Sequence, residues 1–175
     1  MNISKEHKKA ISTYIRAKDG NKPHLMKGFF KDSASLLMEV KTDKIAFPSE
    51  TNELDSITNV LVKDFNQKYE NIYTFCINDS VIADEKQASC KWAVVMTDKE
   101  KGNIRIGYGD YKWVFDNNLT SQLTITIEEM IVLEENYSEE IFHWVDKKTY
   151  PWCDCDDFLK QAPASISFLK YGLTS

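Results

Sequence analysis

One strand-like stretch carries an unusual set of side chains. In NIRIGYGDYKWVFD, residues 103–116, strand alternation gives one face five residues: Arg105, Gly107, Gly109, Tyr111 and Trp113. Glycine inside a strand is typical of a bulge or of a close approach by another group. Two interpretations follow. The glycines relieve crowding in a curved sheet that the aromatic rings fill, or the space above them holds a ligand walled by the rings. Arg105 shares this face unless a bulge near the glycines reverses it.

A tyrosine with a carboxylate partner is a second candidate for chemistry. Tyr14 lies on the apolar stripe of the first predicted helix, and its buried hydroxyl would need a partner, for which Asp110 and Arg105 are candidates. Tyrosine and aspartate together can polarise a carbonyl and move a proton, as an isomerase or a dehydratase requires. Asp32 is a further candidate at the mouth of a cone, although a turn after a helix explains it equally well.

His143 is the histidine that invites a general-base interpretation, because the other two lie in the predicted N-terminal helices. On a helix, His143 points away from the apolar face of Ile141, Trp144 and Val145, so we expect it to face solvent. If this segment were a strand, His143 would share a face with Ile141 and Val145 instead.

Metal and cofactor signatures are weak. Cys153 and Cys155 alternate with aspartates, but zinc sites pair two such knuckles or add histidines at set spacing, and a second cysteine pair is lacking here. The sequence has no serine–histidine–aspartate order, no glycine-rich phosphate loop and no dinucleotide fingerprint. We therefore predict no metal site and no cofactor.

Composition narrows the function classes. The chain has 175 residues and a net charge of −5, a sign that repels phosphate backbones and anionic membranes. No apolar run is long enough to span a membrane, and the N-terminus does not resemble a signal peptide. These features predict a cytoplasmic protein with reduced cysteines, no nucleic-acid partner and no membrane association.

The periodicity predicts helices first and then a meander of strands. The predicted helices are one beginning after Ser4, a short one at Pro23, one over 50–69 and one over 139–148. The predicted strands are 34–41, 71–77, 89–97, 103–116 and 119–133, the last with a bend or bulge near Glu128–Met130, and the tail after Pro151 reads as irregular. This order predicts an α+β fold in which a strongly curved antiparallel sheet wraps around the N-terminal helices and leaves a cone-shaped cavity.

Four stretches resemble a known family. They are YIRAKDGNKPHLMKGFFKDSASL (14–36), the predicted helix 50–69, CKWAVVMTD (90–98), and RIGYGDYKWVF together with LTITIEEMIVL. This pattern resembles the nuclear transport factor 2-like (cystatin-like) superfamily, in particular its polyketide-cyclase-like branch, over about residues 4–135. The resemblance implies one domain over 1–175 with a C-terminal extension over about 136–175, a conical pocket, and a homodimer through the exposed sheet face.

The superfamily includes isomerases, dehydratases, cyclases, hydrolases and binding modules, so the resemblance leaves the function open. Our first hypothesis is a module that binds a small apolar molecule in a pocket lined by Trp92, Arg105, Tyr111 and Trp113. The second is a lyase or isomerase acting on a small apolar carbonyl compound through Tyr14, Asp32 or Asp110. The third is an interaction protein that dimerises without a ligand. A carboxylate or histidine buried in the cone would favour the enzyme.

Overall fold

The computed structural model describes residues 2–174, which form one curved sheet with helices on both of its faces. The helices of this part of the chain are α1 (Lys5–Asp19), α2 (Leu54–Thr58), α3 (Phe65–Lys68), α4 (Ser138–Val145), α5 (Cys155–Leu159) and α6 (Phe168–Thr174). The strands are β1 (Phe30–Val40), β2 (Glu50–Asn52), β3 (Tyr69–Ile77), β4 (Ile82–Ala83), β5 (Gln87–Asp98), β6 (Ile104–Asp116), β7 (Leu119–Leu133) and β8 (Trp152–Cys153). The predicted α+β class is confirmed.

The first helix begins where the sequence predicts. The Ser4 hydroxyl accepts a hydrogen bond from the backbone N–H of His7, which satisfies one of the free donors at the start of α1. Ile11, Tyr14 and Ile15 are buried against the concave face of the sheet. The helix ends at Asp19, and Asn21 follows in the left-handed region with a φ of 53°. The apolar stripe of α1 therefore fixes which side chains reach the interior of the cone.

The sheet is mixed rather than wholly antiparallel. Its strand order is β2–β1–β7–β6–β5–β3–β8, with β4 paired to β5. The central strands form the predicted antiparallel meander, but β1 runs parallel to β7 and β8 runs parallel to β3. The prediction of an antiparallel sheet was therefore wrong at these two pairs. In each pair the two strands are joined by a long stretch of chain, and such a connection allows neighbouring strands to run in the same direction.

A bulge interrupts β7 where the sequence predicts one. Tyr108 pairs with Glu129 and Gly109 pairs with Ile127, so Glu128 is the extra residue. Because the extra residue lies on β7, the alternation of β6 continues without a reversal. Arg105 therefore shares the concave face with the two glycines and the aromatic residues, at the open edge of the sheet.

The predicted helix over 50–69 begins later than expected. Residues 50–52 form β2 instead, in which Thr51 pairs with Leu36 of β1. Glu53 then adopts a φ of 79°, and the helical segment runs from Leu54 to Lys68 through a π-helical stretch, Asn59–Asp64. This segment closes one side of the cone, because Ile57, Leu61 and Phe65 join the concave core.

The tail predicted to be irregular forms a second core on the convex face. Side chains of β8, α5 and α6 pack with α4 against the outer residues of β3, β5 and β6; the central ones are Phe158, Ile166, Leu169, Ile104, Ile106 and Val95. The prediction missed these elements because each is at most seven residues long, too short to show a helical period. As a result, β5 is buried on both of its faces.

The convex face was also the predicted dimer surface. Its central part is covered by the C-terminal elements, and the part left uncovered is polar, with Asp110, Lys112 and Thr124. Dimerisation through this face stays a prediction. Over residues 2–174, no helix is both long and apolar enough to cross a bilayer.

Candidate ligand-binding cavity

A small cavity lies between the concave face of the sheet and the two helical segments. Its volume is about 50 Å³. Liquid water occupies about 30 Å³ per molecule, and a cavity of about 150 Å³ holds benzene, so the closed cavity has room for one or two water-sized groups. Its floor is apolar and comes from β5 and β7, the two neighbours of β6: Val94, Met96, Ile125, Ile127 and Met130. The cone is therefore filled mostly by the protein's own side chains.

Two aromatic rings form the inner wall. Trp92 and Tyr111 stack with their ring centroids 5.7 Å apart, and both line the cavity. Trp92 is 4% exposed, and its indole N–H is buried without a hydrogen-bond partner in the described structure. Such an unpaired buried donor is costly and uncommon. A ligand oxygen in the cavity is one way to satisfy it.

The glycines of β6 make room for this wall. A Cβ placed on Gly109 would overlap the carbonyl oxygen of Thr126 on β7 and lie 2.8 Å from the Trp92 ring. A Cβ on Gly107 would lie 2.7 Å from the carbonyl oxygen of Glu129 and 2.8 Å from the end of Met130. The first interpretation of the opening stretch is confirmed, because the glycines leave room for neighbouring groups, of which Trp92 and Met130 line the cavity. That the cavity holds a ligand stays a prediction.

Two buried tyrosines line the cavity side by side. Tyr14 of α1 and Tyr111 of β6 pack edge to face, with ring centroids 5.9 Å apart. Burial raises the pKa of each phenol well above its ordinary value. Both hydroxyls therefore stay protonated at neutral pH, and the pair can offer a proton in a hydrogen bond to a ligand oxygen.

Beside them lies a buried ion pair that the sequence analysis missed. The Lys18 ammonium lies 2.7 Å from Asp19 Oδ1 and 2.6 Å from Thr74 Oγ1, and it lies over the ring of Phe65. Lys18 and Thr74 line the cavity, whereas Asp19 lies behind them. A signal for Lys18 was present, because it lies four residues after Tyr14 and so on the same helical stripe.

Asp19 has its acceptor sites occupied by the protein. Its carboxylate accepts hydrogen bonds from the Thr74 backbone N–H at 2.7 Å, the Thr74 hydroxyl at 2.9 Å and the Tyr150 hydroxyl at 2.7 Å. Tyr150 belongs to the C-terminal extension, so the ion pair joins α1, β3 and that extension. The sequence does not predict a role for the Tyr150–Asp157 segment. In the structure its first residue, Tyr150, is hydrogen-bonded to the ion pair through Asp19.

The outer wall is the loop between β1 and β2, residues 41–49. Ile45 is buried and Phe47 is half-buried, and both line the cavity next to Phe65. The rings of Phe47 and Phe65 are stacked with centroids 6.4 Å apart. Arg105 donates a hydrogen bond to the carbonyl of Lys44, which holds the tip of the loop. Displacement of this loop would enlarge the cavity.

The structure separates the predicted catalytic residues. Tyr14 lines the cavity, but Asp110 lies on the convex face, 3.9 Å from the Lys91 ammonium. The pairing of Tyr14 with Asp110 was therefore wrong, because adjacent strand positions point to opposite faces and Asp110 is adjacent to the inward-facing Gly109. Asp32 is exposed at the irregular start of β1 and does not line the cavity. The catalytic roles themselves are untested.

Of the four residues predicted to line the pocket, two line the cavity and two do not. Trp92 and Tyr111 line the cavity. Trp113 does not, because it is fully buried beyond it between Tyr14 and Phe30, at ring distances of 5.4 and 5.9 Å. Arg105 lies at the rim and not in the cavity.

Other candidate groups lie elsewhere. His143 is exposed on α4, as the helical wheel predicts. Within the described residues, no group of three histidine, cysteine or acidic side chains is arranged to hold a metal. Cys76 lies near the ion pair, and burial raises the pKa of its thiol, so it is not a ready nucleophile.

Solved structures share this fold. A putative isomerase from Rhodopseudomonas palustris superposes with a TM-score of 0.59 at 12% identity, covering 73% of this chain and 92% of that one. A Catenulispora acidiphila protein with a ketosteroid isomerase-like fold, solved with trimethylamine, gives 0.55 at 8% identity, with coverages of 66% and 82%. A Burkholderia pseudomallei nuclear transport factor 2-like protein of unknown function gives 0.58 at 8% identity, with coverages of 71% and 92%.

These likenesses show the fold: the chain has the nuclear transport factor 2-like fold, as the sequence patterns predict. No protein-family model matches the chain, and no curated protein matches its sequence. The assignment to a polyketide-cyclase-like branch stays a prediction.

Proposed function

We propose that the protein binds a small, mainly apolar molecule between the sheet and α1. The observation that carries this proposal is the composition of the cavity wall. It is apolar and aromatic except for Tyr14, Lys18 and Thr74, and Trp92, whose buried N–H is unpaired, is also part of the wall. Concave apolar spaces with a few convergent polar groups are the usual form of small-molecule sites. The solved neighbour with trimethylamine is one protein of this fold that holds a small molecule.

The buried end of the ligand is uncharged in this proposal. Lys18 and Asp19 already neutralise each other in a buried pair. A carboxylate or an ammonium placed beside them would be an uncompensated buried charge, which is costly. A hydroxyl, ether or carbonyl oxygen instead accepts hydrogen bonds from the available donors at no such cost.

Binding is favoured over acid–base catalysis by the cavity residues. Among the described residues that line the cavity there is no carboxylate and no histidine, and Asp19 is occupied by its own partners. The tyrosine hydroxyls and Lys18 can polarise a carbonyl, but the cavity supplies no evident base to take a carbon-bound proton. A lyase or isomerase is therefore the second candidate.

Titration with 1-octanol, a neutral apolar probe, tests the proposal. Isothermal titration calorimetry is expected to give saturable binding to the natural chain, with the loop over residues 41–49 displaced because octanol is larger than the cavity. Val94→Phe fills the cavity and is expected to weaken binding at least tenfold, the order expected when a ring occupies space that the ligand needs. Val114→Phe on the convex face is the control and is expected to bind like the natural chain.

Thermal unfolding of both variants checks that each remains folded. Equal binding by Val94→Phe and the natural chain would place the probe elsewhere. The absence of binding to the natural chain would make the proposed function wrong.

A further inference from the structure

A groove beside the mouth of the cavity is rich in cationic side chains. Its volume is about 790 Å³. Five cationic residues line it, against two acidic ones, Asp98 and Glu100; the cationic residues are Lys44, Lys68, Lys99, Lys101 and Arg105. The whole chain carries a net charge of −5, so the groove has a charge opposite in sign to that of the protein as a whole. Charge of one sign gathered in a concave surface attracts the opposite charge.

Arg105 lies where the groove meets the cavity. Across the β5–β6 pair it is opposite Met96, which lines the cavity. The loop residue whose carbonyl it binds, Lys44, directly precedes the cavity residue Ile45. A molecule that occupies the cavity and extends past the loop therefore meets the Arg105 guanidinium first.

The guanidinium has unused hydrogen-bonding capacity. One terminal nitrogen donates to the Lys44 carbonyl. Its Nε is buried without a hydrogen-bond partner and lies 3.7 Å from the Asp98 carboxylate, and the group lies over the Tyr69 ring at 5.8 Å. Guanidinium groups hold carboxylate and phosphate oxygens through two parallel N–H bonds. Arg105 can therefore exchange the neutral carbonyl acceptor for an anionic one while it keeps its ion pair with Asp98, and the four groove lysines supply the excess positive charge.

Resting on the proposed function, we propose that the groove binds an anionic group at the outer end of the ligand. The ligand is then an amphiphile, with an uncharged apolar part in the cavity and a carboxylate or phosphate oxygen on Arg105. When Arg105 turns to this anion it releases Lys44, and the loop over residues 41–49 is free to move Phe47 out of the way. The same arginine thus recognises the ligand and opens the cavity.

The test compares two probes of equal chain length, octanoate and 1-octanol, by isothermal titration calorimetry. Octanoate is expected to bind about tenfold more tightly than octanol, the size of one charge-assisted hydrogen bond. Arg105→Gln is expected to abolish this preference, so that octanoate binds no more tightly than octanol. Arg16→Gln, at the other arginine of the chain, is exposed and outside the groove and is expected to keep the preference.

The outcomes separate the two proposals. Octanol binding without a preference for octanoate, or a preference that survives Arg105→Gln, would overturn the anion site alone. A failure of both probes to bind the natural chain would overturn the proposed function and the anion site together. An octanoate preference that weakens as salt is raised and disappears in Arg105→Gln supports the site.

Discussion

Asp19→Asn is expected to lower the free energy of unfolding by about 3–5 kcal/mol, the usual cost of removing one partner from a buried ion pair. The side chains of Lys18 and Asp19 are 7% and 4% exposed. Without the carboxylate charge, the Lys18 ammonium stays buried beside neutral acceptors, the introduced amide oxygen and the Thr74 hydroxyl, and has lost its counter-ion. The measurement is urea unfolding followed by circular dichroism.

The double variant Lys18→Met/Asp19→Asn is the matched control. It removes both charges and keeps a side chain of similar length beside Phe65, so it is expected to recover most of the lost stability. Tyr150→Phe removes one hydrogen bond to Asp19 and is expected to cost about 1 kcal/mol. If the double variant is as unstable as Asp19→Asn, the loss does not arise from an unpaired buried charge.

Gly109→Ala is expected to lower the free energy of unfolding by about 3 kcal/mol, the upper range for overpacking a core. An added Cβ would overlap the Thr126 carbonyl oxygen, which belongs to backbone and cannot rotate away, and would press on Trp92. Relief requires the β6–β7 pair to separate next to the bulge at Glu128. Denaturant unfolding gives the change in stability.

Gly28→Ala serves as the comparison, because a Cβ at Gly28 meets no atom within 4 Å. This variant is expected to stay within about 0.5 kcal/mol of the natural chain. A second readout is the intrinsic fluorescence of the four tryptophans, which is expected to change in Gly109→Ala, where the added Cβ presses on Trp92, and not in Gly28→Ala. Equal stability of the two alanine variants would show that β6 and β7 shift apart without cost.

The fold could be predicted from the sequence because its long strands show a regular alternation of apolar residues. The long strands from Gln87 to Leu133 were placed within two residues of their bounds, since their alternation is regular. The bulge near Glu128 was also foreseen, because three consecutive residues break the alternation there. One helix bound depended on a tertiary contact instead: residues 50–52 pair with β1, and that pairing overrides their place in a helix-like pattern.

The site was harder to predict, because the face of the strand on which a residue lies does not by itself show whether its side chain reaches the cavity. Asp110 was assigned to the pocket for its chemistry, although it lies on the opposite face of β6 from Tyr111. Trp113 lies on the same face of β6 as Tyr111, yet Tyr14 and Phe30 fill the space beside it. The loop residues Ile45 and Phe47 carried no periodic signal, and their role at the mouth depends on where the loop folds back.

The second core has a consequence for synthesis of the chain. All the strands of the concave core, from β1 to β7, are made before the helices that cover the convex face. A nascent chain that ends near Tyr150 can close the cone around α1, but it presents Ile104, Ile106 and Val95 to water. Exposed apolar sheet surface promotes association between chains. We therefore expect a chain truncated before Phe158 to be prone to aggregation.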